Sequence, residues 1–155
     1  MLFRSPFGIR AMDSMRLEKS YRLIPREMSI EYSAYESGLD RFVRLDKEND
    51  FIGKTALVQW QGRGASNGFV TLEVQGITDA DARGSEAIYK DGEVVGRATS
   101  GGFGWRSGKS LALGLVKLEL AAIGSELEIE ILGEKYKAIV IEESPFDPTN
   151  ECLRS

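Results

Sequence analysis

The residues best equipped for chemistry lie in one stretch, Thr99-Ser100-Gly101-Gly102-Phe103-Gly104-Trp105-Arg106-Ser107-Gly108-Lys109-Ser110, followed by Leu111-Ala112-Leu113-Gly114-Leu115-Val116. Closely spaced glycines beside a lysine and hydroxyls can cradle phosphate, because side-chain-free backbone lets N–H groups wrap an anion at the start of a helix. The pattern G-x-x-x-x-G-K-[ST] is met by Gly108-Lys109-Ser110, but its first glycine falls on Phe103. The dinucleotide fingerprint G-x-G-x-x-G is met by Gly102 and Gly104, but Ser107 holds its last position. Both patterns need a helix next. Here Leu111, Leu113 and Leu115 alternate with small or apolar residues around Gly114, the pattern of a buried strand. The phosphate reading is therefore set aside, and an enzyme with its own chemistry at Gly101 to Lys109 ranks last among the functions weighed.

A second group is Arg16-Leu17-Glu18, a cation and a carboxylate that could serve a polar ligand. At i and i+2 on a helix they point to different faces, so they converge only if the helix ends there. The competing reading is ordinary surface charge, with pairs such as Asp13 with Arg16 and Glu18 with Arg22. Trp105 and Arg106 read alike as a partly buried ring beside a solvated cation. The chain has no histidine, which removes His-based triads, His general bases and His metal ligands. Its single cysteine, Cys152, has no partner for an intrachain disulfide and no His to activate it.

These residues need elements to hold them. Ala11 to Tyr21 reads as a helix, Phe42 to Leu45 as a short strand, and Asp50 to Gln59 as an amphipathic helix capped by Asp50. Gln61 to Gly68 is small and Gly-rich, a linker or exposed loop. Strands follow at 69–74, 87–90, 93–96, 111–118, 127–131 and 136–141. Asp91-Gly92 marks a type I′ hairpin turn, because both residues tolerate positive φ. The fold class is mainly β with some α: an antiparallel barrel of six or more strands over residues 63–155, preceded by a small α/β remnant over 1–62.

Composition bounds the function. At 155 residues and 42% hydrophobic content the chain can bury a core. Its 24 acids against 20 Lys and Arg give a net charge of −4, which provides no electrostatic case for nucleic acid. No apolar run approaches the ~20 residues of a membrane span, and Met1 to Pro6 lacks the apolar centre of a secretion signal. A compartment that keeps thiols reduced, the cytoplasm or a mitochondrial matrix, suits a lone cysteine.

Several blocks resemble one family. Thr99 to Val116 is similar to T-S-G-G-[FY]-G-x-x-x-G-K-S-[LI]-A-L-[GA]-[LY]-V of the glycine-cleavage T-protein family. Phe7-Gly8-Ile9-Arg10-Ala11-Met12-Asp13-Ser14-Met15-Arg16-Leu17-Glu18-Lys19 resembles its helix G-x-R-A-x-[DN]-S-[LM]-R-[LI]-E-K. Ser33-Ala34-Tyr35-Glu36-Ser37-Gly38-Leu39, Leu45-Asp46-Lys47 with Asp50 to Leu57, Ala82-Arg83-Gly84 and Pro145-Phe146-Asp147-Pro148 resemble further blocks. They fall in family order and span nearly the whole chain. The branch most resembled is the folate-dependent tail of dimethylglycine and sarcosine dehydrogenases.

The resemblance implies an aminomethyl or methylene unit passed to tetrahydrofolate in one-carbon metabolism, in a cavity that the Ala11–Tyr21 helix partly lines. It implies Tyr21, Arg16, Glu18 and Arg106 as folate-site residues, with Tyr21 foremost because it aligns with an aromatic position near the folate. A pterin stacks on such rings, and a glutamyl carboxylate pairs with arginine. Two departures matter. Met12 stands where many T-proteins carry an arginine, so that carboxylate contact is void, and Trp105 stands where dehydrogenase-type members often carry His. The aspartate thought to assist transfer, the T-G-E-x-G-[FY]-E block and the FAD-binding domain lie upstream in the family and have no counterpart in these residues. The expectation is therefore a partial tetrahydrofolate site without FAD or metal, inactive alone. The alternative is a non-catalytic barrel module that packs on a partner chain. Met12, Met15, Leu17, Tyr32 and Tyr35 would be exposed in some combination, leaving residues 1–62 unfolded or covered by a second copy or the remainder of a longer protein.

Overall fold

The computed structural model describes residues 6–77 and 79–154. Its centre is a closed barrel of six antiparallel strands: β1 (Asn67–Val74), β2 (Ala87–Lys90), β3 (Glu93–Gly104), β4 (Lys109–Lys117), β5 (Glu126–Ile131) and β6 (Glu134–Ile141). The spatial order is β1-β4-β3-β2-β5-β6, closed by pairing of Thr71–Val74 with Ala138–Ile141. Closure leaves no unpaired sheet edge. The helices are α1 (Ile9–Glu18), α2 (Lys54–Arg63) and the short α3 (Glu151–Arg154). No helix among the described residues is long and apolar enough to cross a membrane.

Period-2 alternation fills the barrel. Leu72, Val74, Ile88, Leu127, Ile129, Ile131, Ala138 and Val140 form its buried interior. Along β4, Ala112 and Val116 face that interior, while Leu111 and Leu113 join a second cluster with Leu17 of α1, Phe69 and Ile141. The strand is buried on both faces because α1 covers the outer one. This explains why its sequence is apolar without interruption. At Asp91-Gly92 both φ values are positive, 52° and 85°, as the hairpin turn requires.

Four local expectations need correction. The first helix runs Ile9–Glu18, so Tyr21 lies beyond it. Ser20 adopts φ 51° and its buried hydroxyl pairs with Thr71 Oγ1 at 2.8 Å, which turns the chain off the helix axis onto β1. Residues 42–45 form no strand: Asp40–Phe42 is a 3₁₀ turn, and Arg44 closes on Asp46 through two contacts of 3.1 Å. The second helix begins at Lys54 after Gly53 at φ 90° and extends to Arg63. Asp50 accepts from its neighbour Phe51 N (2.9 Å) instead of capping that helix, and α2 buries none of its residues. Strand β3 continues far past Gly96, through the whole Thr99–Gly104 stretch.

The chain before the barrel folds back onto it. Leu17 is 1% exposed, against the expectation that it belongs to an uncovered apolar face, because it packs on Leu111 and Leu113. Tyr32 and Tyr35 are partly covered, and Met12 and Met15 remain about half exposed.

Candidate ligand groove

Three buried glutamates hold the N-terminal segment in place. Glu18 ends α1, is 2% exposed, and accepts through Oε1 from Arg106 N and Ser107 N, both at 2.7 Å. Glu27 is fully buried, accepts from Thr99 Oγ1 (2.6 Å), Ser100 Oγ (2.5 Å) and Leu23 N (2.8 Å), and is charge-paired with Arg16 Nη1 at 3.4 Å. Glu36 is 2% exposed and accepts from Ser33 N, Asn67 N and Asn67 Nδ2. A buried carboxylate is tolerated when its lone pairs are filled this way.

The Thr99–Ser100 contact depends on a β-bulge. Successive strand residues normally point to opposite faces. The β3–β4 register slips between Ala98 and Ser100, leaving Thr99 without an opposite partner. The kink lets both hydroxyls reach the same Glu27 oxygen. The Gly-rich stretch beyond it serves close packing. A Cβ on Gly104 would lie 2.5 Å from Ser107 Oγ and 2.9 Å from Glu18 Cγ, so only glycine lets the turn close over the glutamate. Gly108 N then donates to Gly104 O, and Lys109 pairs with Glu73 across β4 and β1. The stretch is strand, turn, strand, with no helix to receive a phosphate.

Between α1, the 79–86 loop, β3 and the β5–β6 turn lies a groove of about 770 Å3. Leu17 and Ile131 give it a buried apolar lining, Leu132 is an exposed part of its rim, and Phe103 and Trp105 line it with ring centroids 5.0 Å apart and planes at 77°. Ser14 Oγ donates to Phe103 O (2.7 Å), which ties α1 to β3. Trp105 is 79% exposed, not partly buried as the sequence reading has it, because the 104–108 turn lifts it off the barrel. Arg10, Arg26 and Arg83 also line the groove, and among the described residues none makes an ion pair or side-chain hydrogen bond. Asp13, Asp79, Asp81 and Glu86 add acidic groups, of which Asp13 is engaged by Arg16 and Glu86 by the Arg83 and Gly84 amides.

The structure joins the four residues singled out from sequence in two pairs. Arg16 Nη1 donates to the Tyr21 carbonyl at 2.9 Å, and Glu18 receives the Arg106 amide. Arg16 Nε donates to Asp13 Oδ1 at 2.8 Å, and its Nη2 lies 2.7 Å from the same oxygen. The expected Asp13–Arg16 pair forms. Glu18 does not pair with Arg22, whose guanidinium instead holds Glu143 at 2.7 Å. The side chains of Arg16 and Glu18 are occupied by this chain's own groups and do not line the groove. Arg106 is exposed, its guanidinium 5.9 Å from the Phe146 ring centre. Tyr21 is 51% exposed beside the end of α1. Among the remaining carboxylates, Asp46 is held below the usual carboxylate range by its hydrogen bond and charge pairing with Arg44. No group of three or more His, Cys, Asp or Glu that could hold a metal occurs among the described residues.

Sequence reasoning missed Glu27 and Glu36. An isolated acid in an irregular segment carries no periodic signal, and only Ser33-x-x-Glu36, a reciprocal turn-capping spacing, pointed to one of them.

Residues 68–147 match the glycine cleavage T-protein C-terminal barrel domain, and residues 4–47 match the GCVT N-terminal domain. Human mitochondrial dimethylglycine dehydrogenase is 41% identical over 150 residues, which is 96% of this chain and 17% of the human protein. The aminomethyltransferase of Synechocystis is 36% identical over 137 residues, 88% of this chain and 36% of that protein. The crystal structure of glycine cleavage system aminomethyltransferase T from Bartonella henselae superposes with a TM-score of 0.81 at 26% identity, covering 89% of this chain and 38% of that one. The chain thus spans about one sixth to somewhat over one third of the proteins it matches.

Proposed function

Because the chain belongs to the glycine cleavage T-protein family, we propose that it supplies the C-terminal part of a folate-dependent aminomethyl or one-carbon transfer site, acting in glycine, sarcosine or dimethylglycine breakdown. We read residues 1–62 as part of the folate-binding domain and 63–155 as the barrel. The observation that carries the proposal is the groove formed where the two family-like blocks meet, α1 on one wall and the Thr99–Gly104 strand on the other. Its chemistry suits a folate: a flat ring stacks on Trp105, carboxylates pair with unneutralised guanidiniums, and Tyr21, which does not line the groove, offers a second ring beyond the end of α1.

The residues present act by binding and positioning. Arg16 fixes the Tyr21 backbone, and Glu18 fixes the turn that carries Trp105. No carboxylate here stands in a motif that would move a proton at the transferred carbon, so these residues alone are inactive. Affinity for tetrahydrofolate is weak, because a partial pocket buries too little of it to offset the cost of ordering. A reducing compartment, cytoplasm or mitochondrial matrix, fits this chemistry, and a second copy or the remainder of a longer protein covers Met12 and Met15.

Titration of tetrahydrofolate by calorimetry, with Tyr21→Ala as comparison, tests the site. Weak binding that Tyr21→Ala weakens further is expected; submicromolar binding indifferent to Tyr21 contradicts it. A coupled assay with tetrahydrofolate and an aminomethyl donor is expected to show no turnover, and turnover surviving repurification overturns the inactive-part reading. The second reading, a barrel that only packs on a partner, draws on the half-exposed Met12 and Met15. It predicts no folate binding at all.

A further inference from the structure

A smaller hollow of about 260 Å3 opens beside the groove, lined by Pro25, Arg26, Arg83, Gly84, Ser85, Arg97, Ala98 and Thr99. Three of its lining residues are arginines and none is acidic. Arg26 and Arg83 line the groove as well, so they stand at the junction of the two spaces. Neither makes an ion pair or side-chain hydrogen bond among the described residues. Arg97 is paired with Glu31 through Nη2, yet its Nε is buried with no hydrogen-bond partner. Three guanidiniums at one hollow raise its positive potential, and the buried Arg97 Nε without an acceptor costs free energy. An anion bound between them answers both.

The backbone holds each arginine firmly. Arg97 sits on β3 inside the barrel ladder. Arg26 precedes Glu27, whose carboxylate is clamped by Thr99 and Ser100. Arg83 precedes Gly84, which adopts φ +118° where a Cβ would lie 2.7 Å from Thr99 O. The loop is stitched to β3 by Ser85 N to Ala98 O (2.7 Å) and Ala98 N to Glu86 O (2.8 Å), and the Glu86 carboxylate takes the Arg83 and Gly84 amides. These tethers fix the backbone from which each arginine extends, so only side-chain rotation is lost on binding.

We propose that Arg26, Arg83 and Arg97 form a carboxylate subsite that takes the glutamyl end of a folate lying along the groove, its ring system toward Phe103 and Trp105. The ligand's identity rests on the reading above; the anion site does not. Two uncompensated guanidiniums match the two carboxylates of a glutamyl group, and each presents a planar fork suited to bidentate pairing.

The test uses three probes on the whole chain at low ionic strength: tetrahydrofolate, tetrahydropteroate, which lacks the glutamate, and p-aminobenzoylglutamate, which lacks the pterin. Wild type is compared with Arg26→Gln/Arg83→Gln, and with Arg44→Gln as an exposed control outside the site. Tetrahydrofolate is expected to bind about tenfold or more tighter than tetrahydropteroate, with the advantage lost in the double variant and kept in the control. Raising salt should shrink it. Equal affinity for the two pterins in wild type, or an advantage surviving in the double variant, overturns the subsite and leaves folate binding intact. Binding of p-aminobenzoylglutamate that needs Arg26 and Arg83, with no pterin contribution, upholds the subsite and sinks the folate reading instead. Circular dichroism of the double variant separates loss of contact from loss of fold.

Discussion

The barrel and the segment in front of it are held by opposite means. The barrel buries Leu72, Ile88, Ile129 and Ala138 completely, and its stability comes from apolar area removed from water at ~25 cal/mol per Å2. The segment from Phe7 to Gly53 buries Leu17 as its sole core side chain among the described residues and otherwise relies on Glu18, Glu27 and Glu36. Apolar burial has no direction and tolerates repacking. A buried carboxylate needs several donors placed correctly and is costly once one is lost. The difference teaches that the segment in front of the barrel is specified by polar geometry, while the scaffold beneath it is specified by pattern.

The largest effect should come from the barrel. Ile129→Ala removes a fully buried side chain and should cost about 3 kcal/mol. Thermal unfolding followed by far-UV circular dichroism should show the whole chain melting earlier, because α1 has no other support. If only the N-terminal segment melted earlier, the ranking of the two regions would be reversed.

Glu27→Ala should come next. It leaves the Ser100 hydroxyl and the Leu23 amide without an acceptor and takes a carboxylate from Arg16, at about 2–3 kcal/mol, while Thr99 keeps its bond to Leu113 O. The loss should be local, with proteolysis opening residues 20–37 while the barrel core stays resistant. Glu27→Gln, which keeps one acceptor oxygen, should fall between the two.

How far sequence reached follows the same divide. Alternation at Leu127-Glu128-Ile129-Glu130-Ile131 and the Asp91-Gly92 turn made the barrel legible, since each strand's pattern records which face is buried. The sequence pattern ends strand β3 at Gly96, because Thr99 to Gly104 is polar and small and its strand identity comes from pairing with β4 and packing under α1. The site residues were legible as types but not as roles. Arg16 and Glu18 carry charges that look addressed to a ligand, and only the fold shows them spent on Tyr21 and on the Arg106 and Ser107 amides. The role of Glu27 is not legible, because its two hydroxyl partners lie more than seventy residues away at a bulge.

Gly104→Ala sharpens the comparison at smaller cost. The added Cβ meets Ser107 Oγ and the Glu18 side chain, so the turn must shift by a few tenths of an ångström at about 1–2 kcal/mol. Near-ultraviolet circular dichroism of Trp105 should change more than the midpoint of barrel unfolding does.

The smallest effect belongs to the barrel's exposed charges. Lys137, by hydrogen bond and charge, holds Glu126 below the usual carboxylate range. A depressed carboxylate favours the folded state above its unfolded pKa, and that contribution disappears as pH falls through the folded value. In the fully solvated Glu126–Lys137 pair the contribution is slight. Glu126→Gln should therefore melt like the parent at pH 7, with any difference vanishing in acid. A clear loss of stability at pH 7 would show that surface pairs matter more to the barrel than its core.

The most direct measurement is residue-resolved amide hydrogen exchange on the unmodified chain. The amides of Leu23, Asn67, Arg106 and Ser107 donate to Glu27, Glu36 and Glu18. The buried-carboxylate account predicts that all four exchange far more slowly than open coil, although Leu23, Arg106 and Ser107 lie outside any helix or strand. Exchange of those three at coil rates, with the barrel amides still protected, would contradict it.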